Sequence, residues 1–157
     1  MSVEVLMHTA KARGIMIATA ESCTGGMVSA AITDIAGSSA IFDRGFVTYT
    51  NAAKTDLLGV KPQTLDASGA VSDEVAAEMA SGALAASNAN IAVSITGIAG
   101  PGGSEHKPEG RVCFGIASGN SVRTETVEFG AQGRAIVRAA ARDHAINMLL
   151  TAVRDYP

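Results

Sequence analysis

A chain of 157 residues with 12 lysines and arginines against 15 aspartates and glutamates carries a net charge of −3, without the basic footprint of a nucleic-acid binder. Its 47% hydrophobic content argues against disorder, while no apolar stretch nears the roughly 20 residues a membrane span needs. The length suits one α/β domain over 1–157, and Met1-Ser2-Val3-Glu4-Val5 lacks a basic-then-apolar leader, so the expected address is the reducing cytoplasm.

In chain order, an amphipathic segment over 3–13 ending at Gly14 predicts a helix, and the apolar run 15–20 (IMIATA) a buried strand. A Ser/Thr-rich turn then opens a helix over 24–35, closed by Gly37. Residues 41–50 read as a strand, followed by a short helix to Leu58 capped by Asn51. Residues 62–70 read as a loop. Ser72 caps an alanine-rich helix over 73–86, whose first turn carries Asp73 and Glu74 where the helix dipole favours acids.

The apolar run 91–96 (IAVSIT) is a second buried strand, and a glycine-rich loop follows over 97–110. Strands over 112–117 and 122–129 are joined by Gly119-Asn120 as a hairpin. A last helix over 132–153 bears an apolar stripe that includes Ile136, His144, Met148 and Leu149. Strands alternating with helices, then a hairpin, predict a three-layer α/β/α sandwich around a mixed, mostly parallel sheet. Alanine and glycine, which let helices pack closely on the sheet, take the place of aromatic bulk.

Ligands of open α/β sheets bind at the carboxyl ends of the strands. Three turns leave such ends: Glu21-Ser22-Cys23-Thr24-Gly25-Gly26, Tyr49-Thr50-Asn51-Ala52-Ala53-Lys54, and Thr96-Gly97-Ile98-Ala99-Gly100-Pro101-Gly102-Gly103. Ser22 stands where a strand turns into a helix, so free N–H groups after it could hold an oxyanion. The bland alternative makes Ser22 or Thr24 an N-cap, with Gly25 and Gly26 there for packing. A nucleophilic serine needs a base, and among the histidines only His106 falls in a loop that could reach these turns.

Lys54 is the better base. Near a helix N-terminus its ammonium form is disfavoured, partial burial would lower its pKa further, and a neutral lysine can take a serine proton. Tyr49 could orient it or relay the proton, while an ordinary exposed lysine is the competing reading. Arg134 opens the last helix, where a cation is unfavourable unless it holds an anion; Arg134, Arg138 and Arg142 read otherwise as one solvated stripe. Cys23 is a second candidate nucleophile, ranked below Ser22. The glycine loop has neither a P-loop nor a dinucleotide fingerprint, although backbone there can approach a ligand closely.

Cys23 and Cys113 are far apart, and His8, His106 and His144 share no ligand spacing. No disulfide framework, metal or cofactor is therefore expected.

TAESCTGG, IAGSS, RGFVTYTN-AAK-LLGV, GAVS, SITGIAGP, KPEG and GAQGRAIVRAAA follow one another from about residue 20 to 141. Together they resemble the CinA C-terminal domain family, the nicotinamide-nucleotide amidohydrolases. The resemblance implies deamidation of nicotinamide mononucleotide to nicotinate mononucleotide and ammonia, on a three-layer α/β/α fold. It carries a nucleophile onto Ser22, a base onto Lys54 and a supporting tyrosine onto Tyr49. It also places Cys23, Thr24 and Gly25 at the oxyanion, and Thr96, Gly97, Gly100, Gly102 and Arg134 at the substrate, with 101–103 near the ribose phosphate.

Two departures fall in the substrate loop: 101–107 is one residue short of the family's usual form, and Glu109 replaces an apolar residue. The expected partner is a small nucleotide, with no nucleic acid or membrane, and a homo-oligomer is plausible for so small and hydrophobic a chain. A noncatalytic nucleotide-sensing module, or an amidase of another small amide, is the rival reading.

Overall fold

The computed structural model describes residues 2–157; Met1, the start of the segment read as carrying no leader, lies outside the described residues. Six helices and five strands follow in the order α1 (Ser2–Arg13), β1 (Ile17–Glu21), α2 (Met27–Thr33), β2 (Phe42–Val47), α3 (Asn51–Leu58), α4 (Pro62–Ser68), α5 (Asp73–Ala85), β3 (Ile91–Gly97), β4 (Arg111–Ser118), β5 (Ser121–Glu128) and α6 (Arg134–Asp155), with a 3-10 turn at Ser38–Ala40. The sheet order is β2-β1-β3-β4-β5. β1 pairs in parallel with both β2 and β3, whereas β3–β4 and β4–β5 are antiparallel, so β4 alone runs against the other four.

Helices cover both faces, as the alternation of elements predicts. The period of two along β1 and β3 sorts side chains between two unlike layers. Ile17, Ile91, Val93 and Ile95 point toward α1, α2 and α6, together with Phe114 and Leu149. Ala18, Ala20 and Ala92 face α3, α4 and α5, packed with Val75, Met79 and Ala83. The second layer is close because its side chains are small: Ser94 Oγ reaches the Ala76 carbonyl on α5 at 2.6 Å.

Several boundaries depart from expectation for local reasons. Residues 62–68 are helical rather than a loop, with Pro62 in the first turn, Leu65 buried beneath and Gly69 at the C-cap. The cap of α3 is Thr50, whose Oγ1 accepts from Ala53 N at 3.1 Å, not Asn51. α2 begins at Met27 instead of Thr24, because Gly25 (φ 58°) and Gly26 (φ 106°) take left-handed conformations before the helix starts. In α6 the buried stripe begins at Val137, while Ile136 is exposed.

Candidate active site

β1, β2 and β3 end side by side, and their C-terminal turns enclose a cleft of about 320 Å³. Ser22, Cys23, Tyr49, Lys54, Thr96, Gly97, Gly100, Gly102 and Arg134 all line it. Thr24 and Gly25 do not. Larger hollows exist, including one of about 840 Å³ between the β4–β5 turn and the C-terminus, but their walls lack the cleft's serine–lysine contact.

The Ser22 turn is built by the residue before it. Glu21 is fully buried, and its carboxylate accepts from Thr24 Oγ1 (2.6 Å), Gly26 N (3.2 Å), Val28 N (3.0 Å), Ser29 N (3.0 Å) and Ser29 Oγ (2.9 Å). Three of these five, the Gly26, Val28 and Ser29 N–H groups, are orphan donors at the start of α2, so Glu21 does the work of an N-cap from the strand side. Thr24 is spent on Glu21. Gly25 N donates to the Ser22 carbonyl at 3.0 Å, which takes it away from any oxyanion. Among the described residues the Cys23 and Thr24 N–H groups keep no backbone partner in this turn.

Arg138 grips the turn from outside, donating to the carbonyls of Cys23 (3.0 Å) and Thr24 (3.3 Å). Arg134, Arg138 and Arg142 are therefore not one solvated stripe. Arg134 reaches the Gly100 carbonyl and the Tyr49 hydroxyl, each at 2.8 Å, and Arg142 pairs with Asp143 on the surface.

Lys54 is 1% exposed. Its Nζ lies 3.0 Å from Ser22 Oγ and donates to the carbonyls of Thr48 (2.9 Å) and Tyr49 (3.0 Å). Burial is the main cause that pushes its pKa below the ordinary lysine value, with Cys23 and Glu105 pulling the other way. A neutral amine has two N–H donors and one lone pair. With both donors held by carbonyls, the lone pair is left for the Ser22 hydroxyl, so the pair can move a proton and free a nucleophile.

Two parts of Tyr49 bear on the site, its backbone carbonyl and its phenol. The carbonyl accepts from Lys54 Nζ, while the phenol, in a residue that is 56% exposed, meets Arg134 at the rim. Burial pushes the Cys23 thiol up to about 11, which leaves it protonated and a poor rival to Ser22. Thr96 Oγ1 donates to the Ala70 carbonyl at 2.8 Å and closes the floor, and His106 is exposed and off the cleft wall. Glu109 Oε1 accepts from Gly102 N at 2.6 Å, fastening the loop 100–103. Among the described residues no cluster of three His, Cys, Asp or Glu side chains is placed to hold a metal.

An open α/β sandwich with a buried amine against a serine at its strand ends defines the class. Residues 2–153 match the CinA C-terminal domain, and the chain belongs to that family. It is 53% identical over 148 residues to the nicotinamide-nucleotide amidohydrolase PncC of Enterobacter agglomerans, covering 93% of this chain and 88% of that one. It is 54% identical over 140 residues to the protein of the same name from Escherichia coli K12, covering 88% and 85%. The crystal structure of the competence damage-inducible protein A of Klebsiella pneumoniae superposes with a TM-score of 0.95 at 35% identity, covering 99% of this chain and 97% of that one. No described helix is long and apolar enough to cross a membrane.

Proposed function

We propose that this protein hydrolyses the carboxamide of nicotinamide mononucleotide, giving nicotinate mononucleotide and ammonia, with Ser22 as nucleophile and Lys54 as base. The observation that carries the reading is the buried Lys54 Nζ at 3.0 Å from Ser22 Oγ, and the names of the relatives supply the substrate. Ser22 gives its proton to Lys54 as Oγ bonds to the amide carbon. The N–H group of Cys23, which lines the cleft beside the nucleophile, receives the oxyanion. The Lys54 ammonium then protonates the amide nitrogen, the C–N bond breaks and ammonia leaves. Water, deprotonated by the same amine, cleaves the ester and restores Ser22. Arg134, held by the Gly100 carbonyl and the Tyr49 hydroxyl, binds the phosphate in this reading.

Ammonia release from nicotinamide mononucleotide tests this directly. Wild-type protein is expected to release it, and Ser22→Ala to lose at least about a thousandfold in kcat. A folded wild type that releases none, or a Ser22→Ala variant that retains turnover, overturns the reading.

A further inference from the structure

The cleft wall contains three charged side chains, and one of them has no part in the chemistry above. Lys54 is the base and Arg134 is held at the rim; the third is Glu105. Its carboxylate makes no direct hydrogen bond with any described residue; the Lys107 ammonium lies beside it over Gly69, and its charge is felt at Lys54. Lys107 spends its N–H donors on two backbone carbonyls, so the Glu105 carboxylate keeps its hydrogen-bonding capacity for a cationic ligand.

The backbone that carries Glu105 is fixed in a tight turn. Ser104 N donates to the Lys107 carbonyl (3.1 Å) and Lys107 N to the Ser104 carbonyl (2.8 Å), closing a two-residue turn. Glu105 and His106 at its tip take φ of 53° and 63°, the paired left-handed geometry of a type I′ turn. Residues with side chains rarely adopt it, and asparagine or glycine would fill it more easily. Two backbone carbonyls, those of Ser68 and Val71, bind the Lys107 ammonium and tie the turn to the cleft wall. The Glu105 carboxylate lies over Gly69, where a Cβ would fall 1.9 Å from Oε2. A bare backbone there is what lets the carboxylate lie along the wall.

We infer that Glu105 is a specificity determinant of the cleft, supplying the counter-charge for an amide borne on a cationic heteroaromatic ring. The inference rests on the proposed amidohydrolase reading and adds to it the property by which the ring is selected. A nicotinamide nucleotide is a zwitterion, with a positive pyridinium at one end and a phosphate at the other. Glu105 and Arg134 present the opposite pair of charges on one wall. Neutral amides and free nicotinamide gain nothing from Glu105. Hydrolysis turns the neutral amide into a carboxylate that cancels the ring charge, so the attraction that draws the substrate in fades in the product.

Ring charge is isolated by comparing nicotinamide mononucleotide with its 1,4-dihydro form, which keeps the amide, ribose and phosphate but has a neutral ring. Ammonia release from each gives a ratio of kcat/KM values, in which any loss of folded protein cancels. Glu105→Gln is expected to lower the ratio of cationic to neutral ring about fivefold, most of it in KM, with the difference shrinking in high salt. A ratio unchanged from wild type, in protein active on nicotinamide mononucleotide, overturns the inference and leaves the amidohydrolase reading standing. A wild type inactive on both nucleotides overturns the two together.

Discussion

Lys54 links the chemistry to folding stability, because the same burial acts on both. Its folded pKa is depressed, while in the unfolded chain it keeps its proton to about pH 10.4. Between those values the unfolded state binds more protons, so stability rises with pH across that window; below the folded pKa the penalty for a buried ammonium is present in full. Lys54→Met, similar in length, is expected to melt above the wild type at about pH 6, with the advantage narrowing toward about pH 10, and to lose about a thousandfold in turnover. Melting curves across pH check this, and a Met variant less stable than wild type at the acid end would count against a strained lysine. The serine and lysine were legible in the sequence because both follow strands at the edge where such sheets bind ligands. Glu21 and Arg138 were not. Glu21 reads as the polar end of a strand, and only the two left-handed glycines bring the start of α2 back onto it. Arg138 reads as one arginine of a stripe, and only tertiary packing sets its guanidinium on the Cys23 and Thr24 carbonyls.

At the scale of elements, the placement of Lys54 depends on how closely α3 approaches α5. Gly82 is the point of contact: a Cβ there would meet the Leu58 carbonyl oxygen at 1.9 Å and its carbon at 2.8 Å. Helix propensity alone favours Gly82→Ala by about 1 kcal/mol. The clash is with backbone, which cannot rotate away, so the variant is expected to be less stable by about 2 kcal/mol. Displacing α3 also shifts Lys54 from Ser22, lowering kcat more than it raises KM. Denaturant unfolding beside initial rates checks both, and a stabilised, fully active Gly82→Ala would show that the two helices are not in firm contact. The order and type of most elements were legible from hydrophobic period and from glycine and cap signals. α4 was missed although Pro62 and Gly69 bracket it, because seven residues with one buried leucine carry no apolar repeat. The start of α2 was placed too early for a related reason: its capping group is in β1, upstream of where cap rules look.

Across the whole molecule, the two halves of the proposed dyad stand on elements of unequal security. Ser22 follows β1, which has paired neighbours on either side and is buried along its length. Lys54 follows β2, an edge strand paired only with β1 and half-exposed or exposed at every position. Local opening draws on segments with few buried contacts, so the edge should loosen before the centre. Amides of β1 and β3 are expected to exchange with solvent only through global unfolding, and those of β2 through smaller openings that carry α3 and Lys54 away from Ser22. With no tryptophan in the chain, circular dichroism is the better record of global unfolding. Rising urea should then abolish ammonia release before the dichroism transition begins, and dilution should restore it. Coincident loss of activity and ellipticity would mean that β2 and α3 unfold with the sheet, making the serine–lysine contact as durable as the fold.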